Sequence, residues 1–292
     1  MISAPFEYRR ASSVDEAVSL LGELGEDAKL LAGGHSLVPL MKLRLAAPTT
    51  LIDIGGVAEL EGIEPSDGGF RIGALTRHVT LQNASELGVI QQAASEIADQ
   101  QVRNRGTIGG SLAHGDPASD LPAVMLALDA TFNVTGPEGQ RSIPAGEFFR
   151  DYLTTALGPQ EVMTSIDVPS TEGFGWGYEK FTRRAEDWAM VGVVALVRTD
   201  GNANDPASVP DPSRTAEDVR VGLTHMSSTP LRAASVEDAL RGQPLSADAI
   251  AAAAEKAADN TEPPGDLNAT PEYKAHLARV MTKRALTTAS GA

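Results

Sequence analysis

Short apolar runs alternate with amphipathic stretches along the first part of the chain. The pattern predicts strands at residues 6–10, 29–32 and 50–54. Ser13 and Glu16 have the spacing of a capping box. The apolar residues that follow them at helical spacing are Val14, Val18, Leu20, Leu21 and Leu24. We therefore expect a β-α-β-β opening over about 55 residues, with a helix after the first strand.

The pattern continues with mixed elements and then changes near residue 174. A second block is predicted to contain strands at 70–73, 132–134 and 162–168 and helices at 86–99 and 121–128. Paired strands are predicted at 176–182 and 190–197, around a polar turn at 183–187. The stretch 200–214, rich in Asp, Asn and Pro, predicts an exposed hairpin loop or linker. A strand at 219–223 and helices at 236–240, 248–258 and 271–286 complete the pattern, with a domain boundary near 173–178.

The composition of the chain excludes several classes of function. The 292 residues suggest two domains at about 150 residues each. With 24 basic against 39 acidic residues the net charge is −15, which argues against nucleic acid as a partner. The absence of Cys excludes thiolate zinc sites, cysteine nucleophiles, cysteinyl flavin links and iron–sulfur clusters bound by this chain. No apolar run reaches ~18 residues, and none follows Arg9-Arg10 as in a signal peptide, so we expect a cytoplasmic protein without an integral membrane segment.

Two glycine pairs are the first candidates for binding chemistry. The segment Ala32-Gly33-Gly34-His35-Ser36-Leu37 follows a predicted strand, and Thr107-Ile108-Gly109-Gly110-Ser111 follows another apolar stretch. Consecutive glycines let main-chain N–H groups point into one concavity, which suits a phosphate, although each pair also suits a structural turn. Neither segment has the Rossmann or P-loop pattern. Two such pairs in one chain favour a ligand with two phosphates.

Hydrolytic and metal sites have weaker support. Ser36 neighbours His35, but adjacent residues of an extended segment point to opposite sides, and no G-x-S-x-G elbow is present. His78, His114 and Asp116 lack the helical spacing of a zincin motif. We therefore expect neither a hydrolase nor a metal centre on this chain.

The ordered motifs resemble one known family over almost the whole chain. They are Ala32 to Leu37 with its continuation to Arg44, Gly73-Ala74-Leu75-Thr76, Thr107 to Ser111, and Asp116-Pro117-Ala118-Ser119-Asp120-Leu121-Pro122. Together they resemble the FAD-binding medium subunits of molybdenum hydroxylases, a family that includes the medium subunit of carbon monoxide dehydrogenases and, more distantly, the flavin domain of xanthine dehydrogenases.

The resemblance implies a fold and a domain division. The fold would be a vanillyl-alcohol-oxidase (PCMH)-type FAD-binding domain at residues 1–175, with subdomains at about 1–56 and 57–175. A smaller C-terminal α+β domain of the carbon monoxide dehydrogenase flavoprotein type would follow at 176–292.

The resemblance also implies cofactor-binding residues. The segments 32–37 and 107–111 would wrap the FAD diphosphate, Ala74 and Thr76 would lie beside the cofactor, and Asp120 would bind its ribityl chain or nearby polar atoms. Ser111 stands where the family usually has Asn. The full expected set is Ala32, Gly33, Gly34, His35, Ser36, Leu37, Ala74, Thr76, Thr107, Gly109, Gly110, Ser111, His114, Asp120, Lys180 and Trp188.

Residues 180–189 resemble the family loop that reaches from the C-terminal domain to the flavin. Trp188 matches the position whose side chain covers one face of the isoalloxazine, and indole stacking there is physically reasonable. A core Trp in a sheet is the alternative for Trp188, and it is the favoured interpretation for Trp176. Lys180 either places a charge near the flavin or is a solvated strand lysine.

The implied function is electron transfer without a catalytic acid, base or nucleophile on this chain. FAD would be bound non-covalently, an iron–sulfur small subunit with [2Fe-2S] clusters and a molybdenum-cofactor large subunit would be partners, and a dimer of heterotrimers is expected. One alternative is a self-contained flavin oxidase with flavin linked covalently to His35, because a Gly-Gly-His-Ser segment occurs in berberine-bridge-type oxidases. A nucleotide-binding regulatory protein is another. The sequence names neither the substrate nor the electron acceptor.

Overall fold

Three helix-covered β-sheets and a two-stranded ribbon organise residues 2–199 and 214–291, the part of the chain described by the computed structural model. The first sheet is parallel, with strand order β1-β3-β2. Its elements are β1 (Glu7–Arg10), α1 (Val14–Leu24), β2 (Ala28–Leu31), α2 (Leu37–Lys42) and β3 (Thr50–Asp53).

Helix α1 begins where the sequence predicts. The Ser13 hydroxyl accepts a hydrogen bond from the Glu16 backbone N–H at 3.1 Å. The Glu16 carboxylate in turn accepts from the Ser12 backbone N–H at 2.8 Å. This differs from the usual capping box, in which the carboxylate reaches the N-cap residue itself.

The predicted β-α-β-β opening is wrong in one element, because α2 lies between β2 and β3. Its one buried residue is Met41. A helix of little more than one turn has too few residues to show a 3.6-residue hydrophobic period, so the sequence pattern does not reveal it.

The second sheet is antiparallel, with strand order β4-β5-β10-β6-β7. Its strands and the helices around it are β4 (Ile63–Ser66), β5 (Gly69–Gly73), α3 (His78–Gln82), α4 (Val89–Ser95), α5 (Gln100–Arg103), α6 (Ile108–His114), α7 (Asp120–Ala127), β6 (Thr131–Gly136), β7 (Gly139–Pro144), α8 (Ala145–Phe148), β8 (Phe149–Asp151), β9 (Thr154–Thr155) and β10 (Val162–Pro169). The ribbon pairs β8 with β9. Every residue of α7 is buried, as its all-apolar sequence after Asp120 requires.

The helix predicted at 86–99 is shorter in the structure. Helix α4 ends at Ser95, Ala98 adopts a positive φ of 40°, and Asp99 caps α5 by accepting the Val102 backbone N–H at 2.8 Å. The Asp99 carboxylate therefore starts a new helix at the point where the sequence pattern predicts the end of the old one.

The third sheet is antiparallel, with strand order β11-β12-β13-β14. Its elements are β11 (Phe174–Phe181), β12 (Val191–Thr199), β13 (Ala216–Thr224), β14 (Leu231–Arg232), α9 (Ala234–Leu240), α10 (Ala247–Ala254) and α11 (Pro271–Ser290). The predicted pairing of the strands near 176–182 and 190–197 is confirmed. Most of the loop predicted at 200–214 lies outside the described residues. Among those that are described, no helix is long and apolar enough to span a bilayer.

Strand β11 joins the third sheet to the rest of the molecule through its two faces. On one face Gly175 and Gly177 let α11 approach backbone to backbone: a Cβ at Gly177 would lie 2.3 Å from the carbonyl oxygen of Ala285. On the other face Trp176 and Tyr178 pack against the hydrophobic core of the second sheet. The alternation follows from the two-residue period of a strand.

We predict that Gly177→Val destabilises the protein by about 1–3 kcal/mol or more, although valine favours strands, because the new side chain collides with the α11 backbone. Urea unfolding measures the loss. The matched control is Gly22→Ala in α1, where an added Cβ meets nothing within 4 Å. The free energy of unfolding of this control should rise by about 0.5–1 kcal/mol. Equal stability of Gly177→Val and wild type would disprove this account of the α11 contact.

Candidate functional site

A cavity of about 690 Å³ lies where the first sheet, the helices of the second sheet and the loop after β11 meet. It contains nearly all the residues that the sequence singled out. Those lining it are Ala32, Gly33, Gly34, His35, Ser36, Leu37, Ala74, Thr107, Gly109, Gly110, Ser111, His114, Asp120, Lys180 and Trp188. Thr76 is buried, does not line the cavity, and donates its hydroxyl to the Gly62 carbonyl at 2.9 Å.

The segment 33–37 leaves a run of backbone donors free at the cavity wall. Gly34 has a φ of 79°, and a Cβ at Gly33 would lie 2.3 Å from the Arg105 carbonyl oxygen, so both positions need glycine. Within the part of the chain that the structure describes, the N–H groups of residues 33–37 donate no hydrogen bond. Successive unpaired N–H groups are the means by which a main chain binds an anion without a lysine.

The second glycine pair lies in the first turn of α6 rather than in an extended segment with free donors. Its N–H groups are already used: Gly109 donates to the Ala74 carbonyl at 2.8 Å and Gly110 to the Thr107 hydroxyl at 3.2 Å. A Cβ at Gly109 would lie 2.5 Å from the Ala74 Cβ. Gly109 therefore allows close packing of α6, while Ser111 and His114 line the cavity from that helix.

A buried polar cluster forms another wall of the cavity. The Asp120 carboxylate accepts hydrogen bonds from the Tyr178 hydroxyl at 2.7 Å and from Lys180 Nζ at 3.0 Å. Lys180 also donates to the Glu96 carbonyl at 2.8 Å. With its side chain 3% exposed, Lys180 is not a solvated strand lysine.

The protonation of this cluster follows from its burial and pairing. Burial raises the pKa of the Asp120 carboxyl, and the Lys180 ammonium and the Tyr178 hydroxyl oppose that rise. Burial, together with the neighbouring Asp120, raises the pKa of the Tyr178 hydroxyl well above 10. Tyr178 therefore remains a neutral hydrogen-bond donor throughout the physiological range of pH.

His78 is a buried neutral imidazole at the cavity. Its backbone N–H donates to the Gly106 carbonyl at 3.0 Å, and its Nδ1 has no hydrogen-bond partner among the described residues. Burial, assisted by the charges of His35 and Arg103, lowers the pKa of His78 to about 4. The described residues contain no group of three or more His, Asp or Glu arranged to hold a metal ion.

Trp188 lies at the cavity rim in the Trp188 loop, which we define as residues 182–190. Its side chain is 57% exposed, so it is not a core residue. The loop is closed by a hydrogen bond from the Met190 N–H to the Phe181 carbonyl at 2.9 Å and by an Arg183–Asp187 ion pair at 3.6 Å. Trp176, by contrast, packs against the hydrophobic core as expected.

Several cavity residues were not found from the sequence. They include His78 as a lining residue, Ser119, and parts of the stretch 153–163. The stretch 153–163 carries no recognisable motif. Tyr178 does not line the cavity but binds Asp120, which does. A signal for it did exist: Tyr178 is two residues from Lys180 in a strand, so both side chains project from the same face.

The depressed pKa of His78 predicts a pH dependence of stability. As pH falls below 6.5, His78 of the unfolded protein becomes protonated, whereas His78 of the folded protein stays neutral until about pH 4. Stability is therefore lost through this window, by up to about 3 kcal/mol. In His78→Leu the difference in unfolding free energy between pH 7 and pH 4 should shrink by a corresponding amount. Urea unfolding across this pH range measures it.

The control for this experiment is His276→Leu, which removes an exposed histidine from α11. It should keep the wild-type dependence on pH. If the His78→Leu and wild-type curves run parallel from pH 7 to pH 4, His78 is not held neutral by burial.

Comparison with known proteins assigns both parts of the chain to families. Residues 4–171 match the family described as the FAD binding domain in molybdopterin dehydrogenase. Residues 176–289 match the CO dehydrogenase flavoprotein C-terminal domain.

Similar proteins match along their whole length. The carbon monoxide dehydrogenase medium chain of Hydrogenophaga pseudoflava is 44% identical over 99% of this chain and 98% of its own. The xanthine dehydrogenase FAD-binding subunit of Escherichia coli O157:H7 is 29% identical over 98% of this chain and 96% of its own.

Solved structures agree with this assignment. A chain of carbon monoxide dehydrogenase from Hydrogenophaga pseudoflava superposes with a TM-score of 0.93, covering 100% of this chain and 99% of that one at 44% identity. A chain of quinoline 2-oxidoreductase from Pseudomonas putida 86 superposes with a TM-score of 0.91 at 30% identity, with the same coverage. The chain therefore belongs to the family of FAD-binding medium subunits of molybdenum-containing dehydrogenases and is an oxidoreductase flavoprotein subunit.

Proposed function

We propose that this chain holds FAD non-covalently in the cavity and passes electrons from iron–sulfur clusters of a partner subunit to an external acceptor. The observation that carries the proposal is the run of N–H groups at residues 33–37, which have no partner in residues 2–199 and 214–291 and which line a cavity large enough for an extended ligand. Such a run supplies donors for the FAD diphosphate. FAD contributes the capacity to accept and release electrons, and the protein positions it and tunes its surroundings.

Different walls of the cavity would bind different parts of FAD. The N–H groups of residues 33–37 would hold the diphosphate, and the hydroxyls of Thr107 and Ser111 lie on the same cavity. The Asp120 carboxylate, kept in place by Tyr178 and Lys180, offers an acceptor for ribityl hydroxyls. Trp188, exposed at the rim, would cover one face of the isoalloxazine.

The composition of the chain favours a source of electrons on another subunit. With no Cys it holds no iron–sulfur cluster of its own. Two relatives are named medium chains of carbon monoxide dehydrogenase. We therefore propose a small subunit with [2Fe-2S] clusters and a large subunit with the molybdenum cofactor as partners, assembled as a cytoplasmic dimer of heterotrimers. The proposed domains are residues 1–175 and 176–292.

The alternative is a self-contained oxidase with flavin linked to His35, which lines the cavity with an exposed side chain. The whole-length similarity to medium and FAD-binding subunits does not favour it. Acid precipitation separates the two: a non-covalent flavin appears in the supernatant, whereas a linked flavin stays with the precipitated chain.

We predict that Gly110→Leu lowers FAD occupancy. An added Cβ at Gly110 meets only Thr107 Oγ1 at 2.8 Å and Ala32 Cβ at 3.9 Å, so a longer side chain extends into the cavity. The flavin-to-protein ratio after dialysis measures the effect. Gly110→Ala is the control, because it makes the same contact with Thr107 but does not fill the cavity. The binding site is elsewhere if Gly110→Leu keeps its full flavin content.

We also predict that the isolated chain binds FAD but is not reduced by any candidate substrate, including CO, N-heterocycles and aldehydes. Adding both partner subunits should allow reduction by one of them, seen anaerobically as bleaching of the flavin absorption. The Gly110→Leu chain, assembled in the same way, should show no flavin bleaching. Substrate-dependent reduction of the purified chain alone would contradict the proposal and support the oxidase.

A further inference from the structure

His225, at the end of β13, connects two loops at the rim of the cavity. Its Nδ1 lies 2.8 Å from the carbonyl oxygen of Ala189, the residue after Trp188. Its backbone N–H donates to the Pro117 carbonyl at 2.8 Å, in the loop that leads to the cavity residues Ser119 and Asp120. His225 makes these contacts from a left-handed backbone conformation with a φ of 63°.

Two groups determine which nitrogen of His225 carries the proton: the Ala189 carbonyl, which can only accept, and a buried ammonium, which can only donate. Lys274 of α11 is completely buried, and its Nζ lies 2.7 Å from Asp266 Oδ2 and 3.3 Å from His225 Nε2. An ammonium only donates, so Nε2 must accept. The remaining proton is then on Nδ1, where it is donated to the Ala189 carbonyl.

The Asp266 carboxylate behind His225 is held in its ionised form. Although burial raises the pKa of the Asp266 carboxyl, hydrogen bonds from Lys274 and from the N–H groups of Asn268 and Ala269 lower it to about 2. Burial lowers the pKa of the His225 imidazole, so the ring is neutral at pH 7. Asp266, Lys274 and His225 therefore form a chain of hydrogen bonds that ends on the Trp188 loop.

This series of hydrogen bonds reaches the Trp188 loop at Ala189, the residue next to Trp188. Ala189 is buried while Trp188 is exposed, so the peptide between them is the place where the loop leaves the protein core. The Met190 and Arg183–Asp187 contacts close the loop on itself and on the end of β11. The His225 hydrogen bond instead ties it to β13 and, through Pro117, to the entrance of α7.

We propose that His225 is a positioning residue that holds Trp188 over the cavity, and that the Lys274–Asp266 pair stabilises the tautomer it needs. The part of this inference that concerns flavin rests on the proposed function. The part that concerns the loop does not, because it is tested on the chain without FAD.

The first test uses the unaltered protein. In ¹⁵N-histidine-labelled chain at pH 7, long-range ¹H–¹⁵N correlation spectra distinguish the two neutral tautomers. We expect His225 to carry its proton on Nδ1, and Lys274→Met, which removes one of the two groups that favour this tautomer, to raise the fraction of the Nε2–H form. A wild-type His225 with its proton on Nε2 overturns the proposal, and a tautomer unaffected by Lys274→Met overturns the part assigned to Lys274.

The second test measures the loop through Trp188 fluorescence in a Trp176→Phe background, which leaves Trp188 as the one Trp. His225→Leu removes the donor, and the loss of an ordinary hydrogen bond changes a two-state population by roughly fivefold. We expect a lower Trp188 anisotropy and stronger acrylamide quenching. His225→Asn should restore the wild-type values, because its amide reaches the same carbonyl and Asn tolerates a positive φ.

The control is His276→Leu, which removes an exposed histidine from α11. It should leave the anisotropy and the quenching of Trp188 unchanged. Unaltered anisotropy and quenching in folded His225→Leu, or failure of His225→Asn to rescue them, overturn the positioning role. Should His225→Leu not fold, the tautomer measurement decides alone.

The third measurement separates this inference from the proposed function. With FAD added, His225→Leu should bind flavin but show higher flavin fluorescence than wild type, since a displaced indole quenches less. Bound flavin with unchanged fluorescence counts against the positioning role and leaves the proposed function intact. A wild-type chain that binds no FAD defeats the proposed function, while the measurements on Trp188 and His225 still stand.

Discussion

The buried carboxylate of Asp120 is the constraint around which the cavity is organised. A buried charge is costly unless it is paired and hydrogen-bonded, and the partners here come from the third sheet: the Tyr178 hydroxyl and the Lys180 ammonium. Asp120 belongs to the helix that forms the cavity wall. Satisfying its charge therefore joins the third sheet to the second and fixes the direction of β11, from which the Trp188 loop departs.

Close backbone packing makes this arrangement possible. The glycine face of β11 lies against α11, and Gly222 of β13 lies against the Ala123 carbonyl of α7, where a Cβ would be 2.4 Å away. Glycine also allows close backbone packing at the cavity, where Gly33 lies against Arg105 and Gly109 against Ala74. The second glycine pair thus contributes by packing, whereas the first also leaves main-chain donors free.

A second ionic network reinforces the contact between the two sheets. Arg232 donates to Asp129 at 2.8 Å, to the Leu126 carbonyl at 3.1 Å and to the buried Glu237 at 2.7 Å. Arg220 pairs with the same Asp129 at 2.9 Å. These contacts hold β13, and therefore His225 at its end, in register with α7. Besides the contacts that close it on itself and on β11, the Trp188 loop is thus tied to β13, which does not adjoin it in the sequence.

The sequence by itself determined the family, the α+β class, most strands of the three sheets and a set of candidate site residues of which all but Thr76 line the cavity. These inferences rest on local patterns, such as the Ser13 cap, the apolar α7 and the glycine motifs, which act through nearest neighbours. It missed α2 and the break between α4 and α5, because elements of one or two turns carry no periodic signal. Tertiary structure alone decided that Lys180 is buried, that the N–H groups of Gly109 and Gly110 are already used, and that His225 reaches the Trp188 loop. Each of these three features depends on groups far apart in sequence. Whether a polar group has a hydrogen-bond partner is decided only when the sheets have packed together.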